Sequence, residues 1–117
     1  MSELNSSADA GLIVAGQAAR ITEPEPGMLR QVLAHSTALM LVRHDLRKGW
    51  RGAAHSHPHE QLIYVVNGAI EITVNGAAHV ACTGDSLIVE SNAIHQATAL
   101  EDSVVLDIFT PRRDDYV

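Results

Sequence analysis

Residues 55–76 read HSHPHEQLIYVVNGAIEITVNG, and this stretch holds both the clearest turn signals and the densest group of histidines in the chain. Asn67-Gly68 and Asn75-Gly76 each stand between runs rich in Val, Ile and Thr. Both residues of an Asn-Gly pair tolerate positive φ, so such a pair between two apolar runs predicts a β-hairpin. The stretch therefore predicts strands at residues 61–66, 69–74 and 77–81, joined by two tight turns.

The same pattern of short apolar runs and turn residues continues on both sides. It predicts further strands at residues 29–34, 39–45, 53–57, 86–89, 95–99 and 103–109. Residues 23–27 (EPEPG) contain two prolines, which fix φ and lack an N–H donor, and they predict a turn or short linker. Turns spaced about eight to twelve residues apart are typical of an antiparallel sandwich or barrel, so we expect an all-β fold.

Length and charge limit the classes of protein to consider. The chain has 117 residues and a formal net charge of −6, which fits one domain and argues against nucleic acid or an anionic membrane surface as a partner. We expect an N-terminal arm at residues 1–26 and one domain at residues 27–117. The run at residues 11–19 (GLIVAGQAA) is too short to cross a bilayer, and we expect a strand or loose arm, packed on its own domain or exchanged with a partner subunit.

Two further expectations concern location and redox chemistry. No positively charged segment precedes the apolar run at residues 11–19, which argues against a secretory signal and favours a soluble, cytoplasmic protein. The single cysteine, Cys82, excludes an intramolecular disulfide framework, and we expect it to be a small buried residue.

The histidine spacing predicts a metal site. Side chains alternate between the two faces of an extended chain, so His55, His57 and Gln61 share a face. A third imidazole is expected from His95, which begins a strand whose next residues on the same face are small alanines. Three imidazoles and an amide oxygen suit a divalent Zn, Ni, Mn, Co or Fe ion, and the spacing does not choose between these metals.

The remaining histidines lack this spacing. We expect His59 to lie beside the site without binding the metal directly. Surface or interface positions are expected for the others, which are His35, His44 and His79.

The C-terminal strand contributes a second group of candidates. Asp107 lies in an otherwise apolar run and shares a face with Val105 and Phe109. Apolar surroundings disfavour the charged form of a carboxylate, which makes Asp107 a candidate general acid or base, although an outward-facing Asp is the alternative. Arg112 and Arg113 have the geometry to clamp a carboxylate, or they form a solvated charge cluster with the acidic residues that follow.

The arrangement resembles the cupin superfamily. In the first cupin motif, His55, His57 and Gln61 take the ligand positions and Gly68 closes the motif at the expected spacing, while the leading glycine is displaced. Gly84 and His95 fit the second motif. In that second motif Glu90, Asn92 and Ala99 replace the usual Pro, Gly and Asn. The resemblance implies a jelly-roll barrel, also called a double-stranded β-helix, and a homodimer that pairs through sheet edges or an N-terminal strand.

A closer resemblance is to the small KdgF-type cupins of pectin and alginate catabolism. It rests on HSHPHEQ at residues 55–61, on the Tyr-Val-x-x-Gly turn that ends at Gly68, and on LDIFTPRRDD at residues 106–115. Family members open the ring of 4,5-unsaturated uronates to the linear 4-deoxy-5-keto form. The resemblance implies a small anionic sugar acid as substrate and roles for three C-terminal residues: Asp107 would move protons, Phe109 would pack on the sugar ring, and Arg113 would meet the substrate carboxylate.

Gln61 stands where most cupins have Glu, and this changes the expected charge of the site. Neutral ligands leave a divalent ion its full +2 charge, which favours an anionic ligand and disfavours the higher oxidation states of oxygen-activating iron. The same ligand set is also similar to that of manganese-dependent cupins with hydroxynitrile lyase activity, and related small cupins include other lyases and dioxygenases. Another metal-dependent enzyme and a non-catalytic sugar-binding or sensor cupin therefore stay open as alternatives.

Overall fold

Two antiparallel sheets make up the architecture of the computed structural model, which describes residues 12–117. Nine strands lie within these residues: β1 (Ile21–Glu25), β2 (Met28–His35), β3 (Met40–Leu46), β4 (Glu60–Asn67), β5 (Ala69–Val74), β6 (Ala77–Cys82), β7 (Ser86–Val89), β8 (His95–Ala99) and β9 (Ser103–Thr110). One sheet has the order β1-β2-β3-β9-β4-β7 and the other has the order β6-β5-β8. A short 3₁₀ helix, Asp114–Tyr116, follows β9. The predicted all-β jelly roll is confirmed.

The core lies between the two sheets. Its fully buried side chains include Val65 and Val89 from the larger sheet and Ile70 and Ile72 from the smaller one. Branched side chains from facing sheets interdigitate here, and each buried residue of this size contributes roughly 1.5–3 kcal/mol relative to exposure.

Strict alternation along β3 and β9 turns one set of side chains inward. In β3 every second residue from Met40 is buried, and in β9 every second residue from Ser103 is buried. Most of these inward positions are apolar. The polar exceptions on this inner face are Ser103, His44 and Asp107, which are 4%, 6% and 5% exposed.

The two Asn-Gly pairs have different structural outcomes. Asn75 and Gly76 both have positive φ, 47° and 86°, and they form the predicted hairpin between β5 and β6. The hairpin predicted at Asn67-Gly68 is wrong, because β4 and β5 belong to different sheets and only Gly68 has positive φ. The chain uses this turn to cross from one sheet to the other.

The prediction of a strand at residues 53–57 is also wrong. The chain here pairs with β8 through isolated bridges only, Arg51 with Thr98 and His55 with His95. It leaves β8 after His55 and joins the other sheet at β4, and Pro58 between them has no N–H to donate. Because this segment passes from one sheet to the other, it cannot form a continuous ladder of backbone hydrogen bonds with either.

The predictions for the N-terminal segment have different outcomes. The run at residues 11–19 begins at a residue outside the described part of the chain, and residues 12–19 contain a bend and a turn and no strand, which agrees with the expected loose arm and not with the expected strand. The predicted turn at residues 23–27 is shorter than expected, since the first three of these residues belong to β1. β1 is an edge strand with an irregular register after Thr22, and Pro24 is tolerated at such an edge.

Two smaller findings complete the description. Cys82 is exposed, contrary to the expected burial, because its neighbour Ala81 occupies the inward position of β6. Within residues 12–117 no helix is long and apolar enough to span a membrane.

Candidate metal centre

Three imidazoles converge where the bridged segment meets β8. The ligand nitrogens of His55, His57 and His95 all lie within 4.8 Å of one another. The ring centroids of His55 and His95 are 4.3 Å apart, and those of His57 and His95 are 4.8 Å apart. The backbone bridge between His55 and His95 fixes this approach.

Each imidazole is oriented by a backbone carbonyl two residues away. The Nδ1 atoms of His55, His57 and His95 contact the carbonyl oxygens of Ala53, His59 and Ala93 at 3.0, 3.0 and 2.9 Å. A carbonyl oxygen only accepts, so each Nδ1 carries the proton and each Nε2 keeps its lone pair. This is the hydrogen-bonding pattern that orients a histidine for metal binding through Nε2.

His95 provides an independent test of fit. Its Nε2 atom is buried and has no hydrogen-bond partner within residues 12–117. A buried acceptor left without a partner costs about 1–3 kcal/mol, and a cation removes that cost. The donor set therefore fits a divalent metal ion.

Gln61 adds an oxygen to this group. Its amide nitrogen donates to Asp107 Oδ1 at 2.7 Å, which turns the amide oxygen toward the histidines, 3.1 Å from His57 Nε2. With its proton on Nδ1, His57 presents a lone pair to a second acceptor at this distance. Two acceptors this close repel each other unless a cation lies between them, so this contact also fits a metal.

Burial keeps two of the imidazoles in the state that binds metal. The pKa values of His57 and His95 are lowered from the ordinary value of 6.5, chiefly because burial disfavours the charged form. The charge of Arg113 adds to the lowering at both residues. Neutral imidazoles therefore predominate near neutral pH.

Asp107 holds its place through two hydrogen bonds set by strand register. Asp107 pairs with Ile63 of β4 and Val42 of β3, so Gln61 and His44 are its diagonal neighbours on the inner face. Gln61 bonds one carboxylate oxygen, and His44 Nδ1 bonds the other at 2.7 Å. Asp107 therefore faces inward, and the outward alternative is excluded.

The chain after β9 folds back toward the cluster of histidines, so that Arg113 and Tyr116 line the same cavity as His55 and His95. The Arg113 side chain is 12% exposed, donates to both carboxylate oxygens of Asp115, and lies 4.3 Å from the Tyr116 ring centroid. Phe109 is 1% exposed, and its ring meets the edge of His57 at 5.9 Å and Tyr116 at 5.7 Å.

One cavity of about 100 Å³ unites the predicted residues. Those that line it are His55, Gln61, His95, Asp107, Phe109 and Arg113. His57, the remaining predicted ligand, contacts the rings of His95 and Phe109. The structure thus brings both sequence-predicted groups to one place.

Sequence reasoning missed three residues that line this cavity. His44, expected at a surface or interface, is buried, and Arg30 and Tyr116 line the cavity although neither is among the predicted site residues. The parity argument that singled out Asp107 applies equally to His44, which alternates with Met40, Val42 and Leu46. Of the other histidines, His79 is exposed as expected, and His59 supplies the carbonyl that holds His57.

Comparison with known proteins identifies the family. Residues 42–109, more than half of the chain, match the family model described as a cupin domain. The chain belongs to the cupin family. This cupin is 34% identical, over 93 residues, to the pectin degradation protein KdgF of Dickeya dadantii, covering 78% of this chain and 84% of that one.

Solved structures agree with this assignment. KdgF from Halomonas sp. has 37% sequence identity and a TM-score of 0.86, with 92% of this cupin and 99% of that chain covered. An RmlC-like cupin from Shewanella frigidimarina has 33% identity and a TM-score of 0.86, with 90% and 95% covered. The left-handed φ of Asn92, 65°, explains how this cupin replaces a motif glycine, since Asn tolerates that conformation better than other side chains.

Proposed function

We propose that this cupin is a metal-dependent enzyme that opens the ring of 4,5-unsaturated uronates to give linear 4-deoxy-5-keto uronates. The observation that carries the proposal is the Gln61 amide, which joins a buried carboxylate, Asp107, to a cluster of metal-binding nitrogens. The KdgF of Dickeya dadantii is named a pectin degradation protein, and pectin fragments are uronates, which supports this class of substrate.

The metal ion would be held by His55, His57, His95 and Gln61. When bound, it supplies a Lewis acid that attracts the anionic substrate and stabilises negative charge developing on an oxygen. Zn, Ni, Mn, Co and Fe all suit the ligand set.

Asp107 is assigned the proton transfers. Ring opening removes the proton from the O1 hydroxyl, breaks the C1–O5 bond and leaves an aldehyde at C1 and an enolate at C5. Ketonisation of that enolate then adds a proton to C4. One carboxylate can take the first proton and return it to C4, so the reaction is an isomerisation with no net proton exchange.

Arg113 and Phe109 are assigned to substrate binding. Arg113 is a nearly buried cation on the cavity wall, where a uronate carboxylate would share the guanidinium with Asp115. Phe109 offers an apolar ring beside His57 for the sugar face. The chain carries a net charge of −6, so attraction of an anion must arise locally from Arg113 and the metal.

The test is turnover of 4,5-unsaturated galacturonate by the metal-loaded protein, followed as loss of absorbance of the C4–C5 double bond. We expect a rate well above the spontaneous reaction, reduced about 10²–10⁴-fold in Asp107→Asn. Asp45→Asn on β3, which changes an exposed carboxylate paired with Arg43, is the control and should keep the wild-type rate. A wild-type rate equal to the spontaneous one would refute the assignment for this substrate.

The substrate-binding assignment has its own pair of variants. Arg113→Met should raise KM more than it lowers kcat, whereas Arg112→Met, next to it and paired with Asp114, should change neither. Oxygen consumption or cyanohydrin cleavage by the Mn- or Fe-loaded protein would instead favour one of the other enzyme classes. Uronate binding without turnover would favour a sensor.

A further inference from the structure

A continuous line of hydrogen bonds runs behind the metal centre. Arg30 Nε donates to His44 Nε2 at 2.9 Å, His44 Nδ1 contacts Asp107 Oδ2 at 2.7 Å, and Asp107 Oδ1 accepts from Gln61. The line starts on β2 and crosses β3 and β9 to β4. Adjacent strands of one sheet thus connect a guanidinium to a candidate metal ligand.

The direction of every bond in this line follows from Arg30. A guanidinium has donors and no acceptor, so His44 Nε2 must present its lone pair to Arg30. The proton of a neutral His44 ring is then on Nδ1, where it is donated to Asp107. The Arg30 guanidinium is held in turn by the Tyr116 ring, whose centroid is 3.8 Å away.

The same logic extends to Gln61. Because His44 occupies one oxygen of Asp107, the other oxygen faces Gln61 and accepts from its NH₂ group. An amide that donates on this side must turn its oxygen to the opposite side, where the histidine nitrogens are. The orientation of the Gln61 amide therefore depends on His44, which lies two strands away on β3.

We propose that Arg30 and His44 are positioning residues that fix the carboxylate of Asp107 and, through it, direct the amide oxygen of Gln61 toward the metal. His44 acts through Asp107, and Arg30 acts by holding the Nε2 atom of His44. The effect on turnover rests on the proposed function. The effects on tautomer and metal affinity do not.

The first test observes the tautomer directly. Long-range ¹H–¹⁵N spectra of the histidine rings should show His44 protonated on Nδ1 in the wild type. Arg30→Met should leave the proton on Nδ1, because Asp107 still accepts from it, and should shift the ¹⁵N resonance of Nε2 toward that of an imidazole nitrogen without a hydrogen bond, because Arg30 no longer donates to it. The matched control is Arg43→Met on β3, whose guanidinium bonds the exposed Asp45, and it should leave the spectrum unchanged. A wild-type His44 protonated on Nε2 would overturn the proposal.

The second test measures zinc affinity by chelator competition. Residues behind a metal ligand contribute about 10- to 100-fold to affinity, and we expect a loss of this size in His44→Leu. His44→Asn keeps an N–H near the Nδ1 position and should recover most of it. Wild-type affinity and kcat in a folded His44→Leu would overturn the proposal; if His44→Leu does not fold, His44→Asn and the wild-type spectrum decide.

Activity separates this proposal from the previous one. With uronate as substrate, folded His44→Leu and Arg30→Met should lower kcat more than they raise KM. A wild type that does not turn over the uronate, yet shows the expected tautomer and zinc effects, refutes the proposed function and leaves this inference standing. A wild type that turns over the uronate with His44 protonated on Nε2 refutes only this inference.

Discussion

Gln61 and Asp107 are diagonal neighbours on β4 and β9, and a 2.7 Å hydrogen bond from the amide of Gln61 to the carboxylate of Asp107 joins the candidate metal centre to the candidate proton carrier. An amide is suited to this position because it offers a donor to one side and an acceptor to the other. A carboxylate at residue 61 would offer only acceptors when ionised.

This relationship predicts the effect of Gln61→Glu. Without metal, two carboxylates would face each other at hydrogen-bond distance in a buried site, and we expect thermal unfolding in chelator to show a loss of about 1–3 kcal/mol. Added zinc should restore more stability in this variant than in the wild type. Gln17→Glu, which changes an exposed amide in the turn before β1, is the control and should be nearly neutral. Equal stability of the two metal-free variants would contradict the prediction.

Protonation of the buried histidines predicts a pH dependence. The folded-state pKa values of His57 and His95 are lowered, so near and below pH 6.5 the unfolded chain binds more protons than the folded one. The stability of the metal-free protein should therefore rise as pH increases through this range and level off above it. Thermal melts in chelator across pH measure the slope, and the double variant His57→Asn, His95→Asn should flatten it. An unchanged slope in that variant would argue against this assignment.

Metal binding should stabilise the fold. A ligand present at 100 times its Kd adds about 2.7 kcal/mol, which zinc titration followed by thermal melts would detect. His55→Ala removes one of the converging nitrogens and should abolish most of the shift. His79→Ala, an exposed histidine on β6, should keep it. If zinc raises the melting temperature of His55→Ala as much as that of the wild type, the ion binds elsewhere.

Gly68 is predicted to be intolerant of a side chain. Its φ is 108°, and an added Cβ would collide with the Ser103 side chain and lie 2.7 Å from the backbone oxygen of Asp102. Gly76 has a similar φ, 86°, with nothing within 4 Å of an added Cβ. Gly76→Ala should cost about 1 kcal/mol for the strained φ alone, and Gly68→Ala clearly more, as measured by denaturant unfolding. Similar losses of unfolding free energy in the two variants would show that the neighbours of residue 68 move aside to accommodate the Cβ.

We also predict a homodimer at micromolar concentration, to be measured by size-exclusion chromatography with light scattering. If the N-terminal arm carries the contact, Leu12→Asp should shift the protein toward monomer, because this side chain is 90% exposed on the single chain. Val80→Asp, also at an exposed apolar residue but on β6, is the control. A wild-type monomer would refute the prediction. If Val80→Asp alone became monomeric, the dimer contact would lie on the smaller sheet and not on the N-terminal arm.

Local signals in the sequence were sufficient for much of this fold. The Asn75-Gly76 hairpin and the alternation in β3 and β9 depend on residues close in the chain, and the strands lie near their predicted positions. The Asn67-Gly68 crossing and the segment around His55 could not be predicted this way, because which sheet a strand joins depends on distant pairings. Parity along β3 places His44 on the inner face, but its hydrogen bonds could not be predicted locally, because its partners, Arg30 and Asp107, are 14 and 63 residues away in sequence.

The candidate metal ligands come from both sheets, with Gln61 on β4 of the larger sheet and His95 on β8 of the smaller one. An ion held by both would act as a cross-link across the open end of the sandwich. Separation of the sheets would then require breaking metal–ligand bonds as well as exposing apolar side chains. Metal loading should thus set how readily the barrel opens, and so its resistance to proteolysis.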